Sequence, residues 1–144
     1  MARALCLAAA FSLSSCSLSP FGASPAPFPP LEPGKGRVVL YRSSSSGSPY
    51  TSEALLNGER VGRTDRRGVY VRDVAPGSYA VTTTMTARVV NFSVAAGERK
   101  YVRFSNAFFD ARIYPELVEA SKGESESASL ERLDPPRTVP PKSP

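Results

Sequence analysis

Four arginines, Arg60, Arg63, Arg66 and Arg67, fall within eight residues, and only Glu59 and Asp65 oppose them. A guanidinium is a planar fork of donors that grips phosphate or carboxylate through paired hydrogen bonds. The spacing therefore suits a loop that binds phosphates of lipid A or phospholipid, or carboxylates of peptidoglycan. The plainer reading is a solvated basic loop following a hairpin. Other chemistry is narrowed by what the 144 residues lack: there is no histidine, no tryptophan and only two cysteines. Ser-His-Asp triads, Cys-His dyads and His-ligated metals are excluded, and two thiols cannot build a four-thiolate zinc site. The run Ser43-Ser44-Ser45-Ser46-Gly47-Ser48 has no Gly-x-Ser-x-Gly elbow, and no serine stands at Ser-x-x-Lys spacing, so it reads as a loop. The acids Asp65, Asp73, Asp110, Glu116 and Glu119 are scattered, with nothing to set the carboxylate separation that glycoside hydrolysis needs, so a hydrolase that pairs two of them in one cleft stays a third and unsupported alternative. The expectation is a protein that is not an enzyme and has no cofactor and no metal. No stacking motif accompanies the arginines, which excludes nucleic acid as a partner.

The N-terminus supplies an address. Met1-Ala2-Arg3 is positive, residues 4–13 are a ten-residue, mainly apolar run, and Leu13-Ser14-Ser15-Cys16 follows. Ten residues are too few to cross a bilayer as a helix but fit the apolar segment of a signal peptide. Aliphatic, small, small, cysteine resembles the bacterial lipobox, in which the cysteine sulfur accepts a diacylglycerol and the preceding bond is cut. Cys16 is the expected lipidation site, and its partner is the lipid bilayer. Cys6, inside the apolar run, leaves with residues 1–15, so the mature chain has no internal disulfide and folds on core packing alone. Removing Arg3 lowers the formal charge by one from +5. Ser17, where Gram-negative inner-membrane lipoproteins commonly carry aspartate, points to an outer-membrane anchor facing the periplasm.

The remaining organisation follows from proline. Seven of the 14 prolines lie between Pro20 and Pro49 and five between Pro135 and Pro144. Residues 16–35 read as the lipidated cysteine and a proline-rich tether reaching up to roughly 50 Å at about 3.1 Å per residue. Residues 134–144 read as a disordered tail. Between them, residues 36–133 form one domain whose apolar period is two. Val38-Val39-Leu40-Tyr41 is flanked by Arg37 and Arg42. Asn57-Gly58 predicts a type I′ hairpin pairing Leu56 with Glu59 and Ala54 with Val61. Pro76-Gly77 suits the centre of a type II turn, and Ala96-Gly97-Glu98 marks another turn. Alternation recurs in Gly68–Val74, from Tyr79 to Met85, Arg88–Val94 and Arg99–Ser105, and Ile113–Ala120 is a last candidate. About seven strands with regular turn signals predict an all-β fold, a small antiparallel sandwich in preference to a barrel. Gly123–Leu133 is expected to supply one short C-terminal helix that packs Leu130 and Leu133 on the sheet. Tyr41, Tyr70 and Tyr101 are out of phase with the aliphatic residues; they form either an exposed strip for sugars or a partner, or part of a covered face. Phe108 and Phe109 are expected to cap the core from a loop.

Gly36-Arg37-Val38-Val39-Leu40-Tyr41-Arg42, the Leu55–Gly62 hairpin, Gly68-Val69-Tyr70, Val74-Ala75-Pro76-Gly77-Ser78-Tyr79 and the Ala96–Arg103 turn and strand together resemble a known pattern. It is that of the small bacterial envelope lipoproteins with a PEGA-like β-sandwich, a family of unknown function. The resemblance covers about residues 36–120 and rests on turns, so it implies the fold and lends no catalytic residue. The resulting expectation is a lipid-anchored, non-enzymatic binding or structural module of the cell envelope. Its partner is an envelope protein, peptidoglycan or anionic lipid. Open sheet edges add a route to self-association.

Overall fold

Val38, Val39, Leu40 and Tyr41 follow one another without a polar break, and such a strand needs cover on both faces. In the computed structural model, which describes residues 28–43, 49–106 and 110–133, this strand is β1 (Gly36–Tyr41), buried along its whole length. The chain continues through β2 (Glu53–Leu56), β3 (Glu59–Arg63), β4 (Gly68–Val74), β5 (Gly77–Thr83) and β6 (Val90–Val94). It closes with β7 (Arg99–Ser105), β8 (Tyr114–Val118), α1 (Ala120–Ser127) and β9 (Glu131–Arg132). One sheet has the order β8-β7-β1-β4-β9 and the other β3-β2-β5-β6. The fold is the expected all-β sandwich with a short helix near the C-terminal end.

Val38 and Leu40 face the second sheet, and with Val102 of β7 they meet its Leu56, Val81 and Phe92 in the main core. Val39 and Tyr41 point the other way, into a second cluster with Val69, Tyr101 and Leu130. Helix α1 packs against β7 on this outer side. The tyrosines are therefore not a surface strip: Tyr41 and Tyr101 are buried on the outer face, and Tyr70 lies in the main core.

Local chemistry decides the turns. Asn57 and Gly58 both have positive φ, +50° and +81°, as a type I′ turn requires, and Leu56 pairs with Glu59. Beyond that pair the hairpin slips: Leu55 faces Arg60 and Ala54 faces Gly62, not Val61. The bulge gives β3 one extra residue and still leaves Ala54, Leu56 and Val61 all buried. The Glu98 N–H bonds the Ala95 carbonyl at 3.1 Å with Gly97 at φ +78°, a type II geometry. Pro76-Gly77 does not form one. Gly77 has φ +159°, far from the value of about +80° that the turn needs, because the chain passes there from one sheet to the other.

Three further differences come from long-range pairing. The described residues hold nine strands, not about seven, and the first sheet is mixed: β1 runs parallel to β7, and β4 parallel to β9. Between β1 and β7 the chain passes through the other sheet, so no hairpin imposes an antiparallel return. The helix spans Ala120–Ser127 instead of Gly123–Leu133. Leu130 and Leu133 do reach the body of the domain, but from the segment after the helix, where β9 adds to β4.

Candidate functional site

The arginine stretch straddles β3 and the turn that leads to β4. Arg60 pairs with Glu53 at 3.1 Å. Arg63 lies 3.8 Å from Asp65, and its Nη2 donates to the Thr51 hydroxyl at 2.6 Å. Arg66 and Arg67 are exposed in the turn, and among the described residues neither side chain meets a carboxylate. Arg67 takes the left-handed conformation at φ +61°, which lets its N–H bond the Arg42 carbonyl at 3.0 Å. The four therefore do not converge equally: two are neutralised beside β2, and two remain at the turn. Below them Arg42 is fully buried, with Nη1 donating to the carbonyls of Tyr50 (2.6 Å) and Thr64 (2.9 Å). Burial lowers its pKa, and the neighbouring Arg66 charge adds to the effect. This end of the sandwich is positive both inside and out.

A second arginine constellation was not visible in the sequence. Arg37, only 1% exposed, stands directly across from Asp73 in the β1–β4 register. Its Nε and Nη2 contact the two carboxylate oxygens at 2.6 and 2.8 Å. Its remaining donors hold the carbonyls of Pro29 (2.7 Å) and Pro30 (3.2 Å), while the Glu32 N–H donates to Asp73 at 3.1 Å. Phe28 packs against the outer-face cluster. Residues 28–34, read as spacer from composition, are thus strapped onto the domain. The Arg37 hydrogen bonds hold the Asp73 carboxyl below its ordinary range, assisted by the Glu32 N–H. The only sequence signal was an arginine bordering an apolar run, which ordinarily marks a strand end in solvent.

The third constellation lies under the helix. Arg103 Nη1 binds Glu126 of α1 at 3.0 Å, and Nη2 binds Glu116 of β8 at 2.8 Å. The Tyr41 hydroxyl donates to Glu126 Oε2 at 2.6 Å. Burial, then this bond, raises the Tyr41 pKa; hydrogen bonding to Glu116 raises that of Arg103. The Arg103 Nε is buried without a hydrogen-bond partner among the described residues. Gly123 lets the helix approach, since a Cβ there would lie 2.3 Å from Tyr101.

Each acid weighed for hydrolysis has its own neighbourhood. Asp65 faces Arg63, Asp73 faces Arg37 and Glu116 faces Arg103. Asp110 is held down to about 2, chiefly by the Tyr114 hydroxyl at 2.5 Å and then by Arg112. Glu119 borders an open groove of about 650 Å³ between the start of β7 and the start of α1, alongside Arg99, Lys100 and Leu117. Among the described residues no three His, Cys, Asp or Glu side chains cluster as a metal site, and no helix is long and apolar enough to cross a membrane. Cys16, residues 1–15, Ser44–Ser48, Phe108, Phe109 and residues 134–144 lie outside the described residues. No family model, curated protein or solved structure matches the chain.

Proposed function

We propose that the protein is a lipid-anchored module of the bacterial cell envelope that binds or braces a partner and performs no chemistry. The observation that carries this reading is Leu13-Ser14-Ser15-Cys16 behind a positive start and a short apolar run. The strap supports it physically. With Phe28 packed and Pro29 and Pro30 held by Arg37, residues 28–34 lie on the domain and do not add to the reach expected from composition. The lipid localises the domain at the outer membrane facing the periplasm, and the strap fixes where the anchor leaves it. The distribution of the acids among separate cations favours a binding role over hydrolysis. The PEGA-like resemblance agrees with this assignment.

Metabolic palmitate labelling of the full chain tests it. Label is expected in wild type and lost in Cys16→Ser; an unlabelled wild type overturns the anchor. A second reading is favoured by Arg66 and Arg67, exposed without carboxylate partners among the described residues and backed by buried Arg42. In it the basic end grips an anionic envelope ligand such as lipid A, phospholipid or peptidoglycan. It predicts salt-sensitive association with anionic vesicles or peptidoglycan that fails when Arg60, Arg63, Arg66 and Arg67 become glutamine. Binding unaffected by those changes removes it.

A further inference from the structure

A two-sheet sandwich has four edge strands, and an unprotected edge is a template for another strand. Three edges here carry recognisable protection. Along β3, the Arg63 N–H donates to the Tyr70 hydroxyl at 3.1 Å, and the Val61 carbonyl accepts from Arg72 Nη2 at 3.0 Å. Both caps come from β4 of the opposite sheet. Strand β8 contains Pro115, which has no N–H to offer, and β9 is only two residues long. Strand β6 differs. It has no proline, no charged residue and, among the described residues, no partner on the side away from β5. Asn91 and Ser93 are exposed on its solvent face beside a shallow hollow of about 370 Å³, and Val89, just before it, is 48% exposed.

We infer that β6 is a pairing edge for a second copy of this chain, in antiparallel register about a two-fold axis at Phe92. The strand has the same apolar and polar pattern in both directions: Val90 meets Val94, Asn91 meets Ser93, and Phe92 meets itself. Apolar residues then stack on the core side, amide faces hydroxyl on the solvent side, and no like charges oppose one another. The same patch serves both copies, so the contact closes as a dimer instead of growing into a filament. It joins two four-stranded sheets into one continuous sheet. This inference goes beyond the anchor and does not depend on it.

The test is sedimentation of the full chain carrying Cys6→Ser and Cys16→Ser, so that neither lipid nor native thiol joins copies. At about 100 µM, where a contact of modest affinity is populated, a dimer is expected. Asn91→Lys with Ser93→Lys sets lysine opposite lysine on both sides of the axis. Association should weaken at least about tenfold, with the melting temperature unchanged when both proteins are dilute enough to be monomeric. In the same background, Asn91→Cys mixed with Ser93→Cys should cross-link on oxidation, and Asn91→Cys alone should cross-link far less. A monomeric starting protein overturns the inference and gives the edge to an extended segment of another protein or to water. A dimer indifferent to the lysines, or a mixed pair that fails to cross-link, overturns it equally.

Discussion

The outer faces of the two sheets are built on opposite terms. On the five-stranded sheet, Val39, Tyr41 and Tyr101 point outward and are buried, beneath a cover supplied by α1, Leu130 and the strap residue Phe28. That cover is held by charge-assisted bonds: Arg103 to Glu126, Tyr41 to Glu126, and Arg37 to Asp73 and the proline carbonyls. On the four-stranded sheet the outward positions along β5 and β6 are small or polar, Ser78, Ala80, Asn91 and Ser93, and need no cover. A sheet apolar on both faces must recruit additional layers, whereas one with strict alternation is left open to solvent and to partners. Stability is therefore concentrated on one side of the molecule and accessibility on the other.

Substitutions can break this contrast. The largest effect is expected from Asp73→Ala, which strands a buried guanidinium and releases the strap. The unfolding free energy in urea should fall by about 3 kcal/mol, and cleavage by protease within residues 28–35 should accelerate. The Asp73 carboxyl is depressed in the folded state. Its contribution is thus complete above the ordinary carboxylate range and lost as pH falls through the lowered value; Asp73→Asn should flatten that acid limb. Next is Gly123→Val, whose Cβ would strike Tyr101 at 2.3 Å and push the helix away. A loss of about 1–3 kcal/mol is expected, measured in the same way. Tyr41→Phe removes the bond to Glu126 and should cost about 1–2 kcal/mol. Because folding raises the Tyr41 pKa above 10.0, stability should decline as pH rises past that value, and the variant should decline less. The smallest effect belongs to the open face: Ser78→Ala should lie within about 0.5 kcal/mol of wild type. A large loss there would erase the contrast.

Features set within a few residues were legible in advance. The left-handed pair Asn57-Gly58 and the glycine at position 97 turned the chain as their chemistry requires, and period-two alternation located most strands. What depended on distant partners was not legible. The bulge beside Val61 keeps a third apolar residue in the core and has no local marker. Arg37 and Arg42 looked like polar strand ends until Asp73 and the carbonyls of Pro29, Tyr50 and Thr64 were brought to them. Helix α1 presents no apolar stripe; Gly123 and Glu126 seat it, and neither announces a helix. Of the four arginines read as one cluster, only Arg66 and Arg67 keep the exposed, uncommitted character that the composition suggested, since Glu53 and Asp65 engage the other two.

The strap has a mechanical meaning. Tension on the chain ahead of Phe28 reaches the domain at the Arg37 clasp, beside the entry to β1, the central strand of its sheet. A pull along that strand loads its bonds to β4 and β7 in shear, all at once, instead of peeling an edge one bond at a time. A domain tugged from this point resists as a unit, as the proposed N-terminal anchor would require.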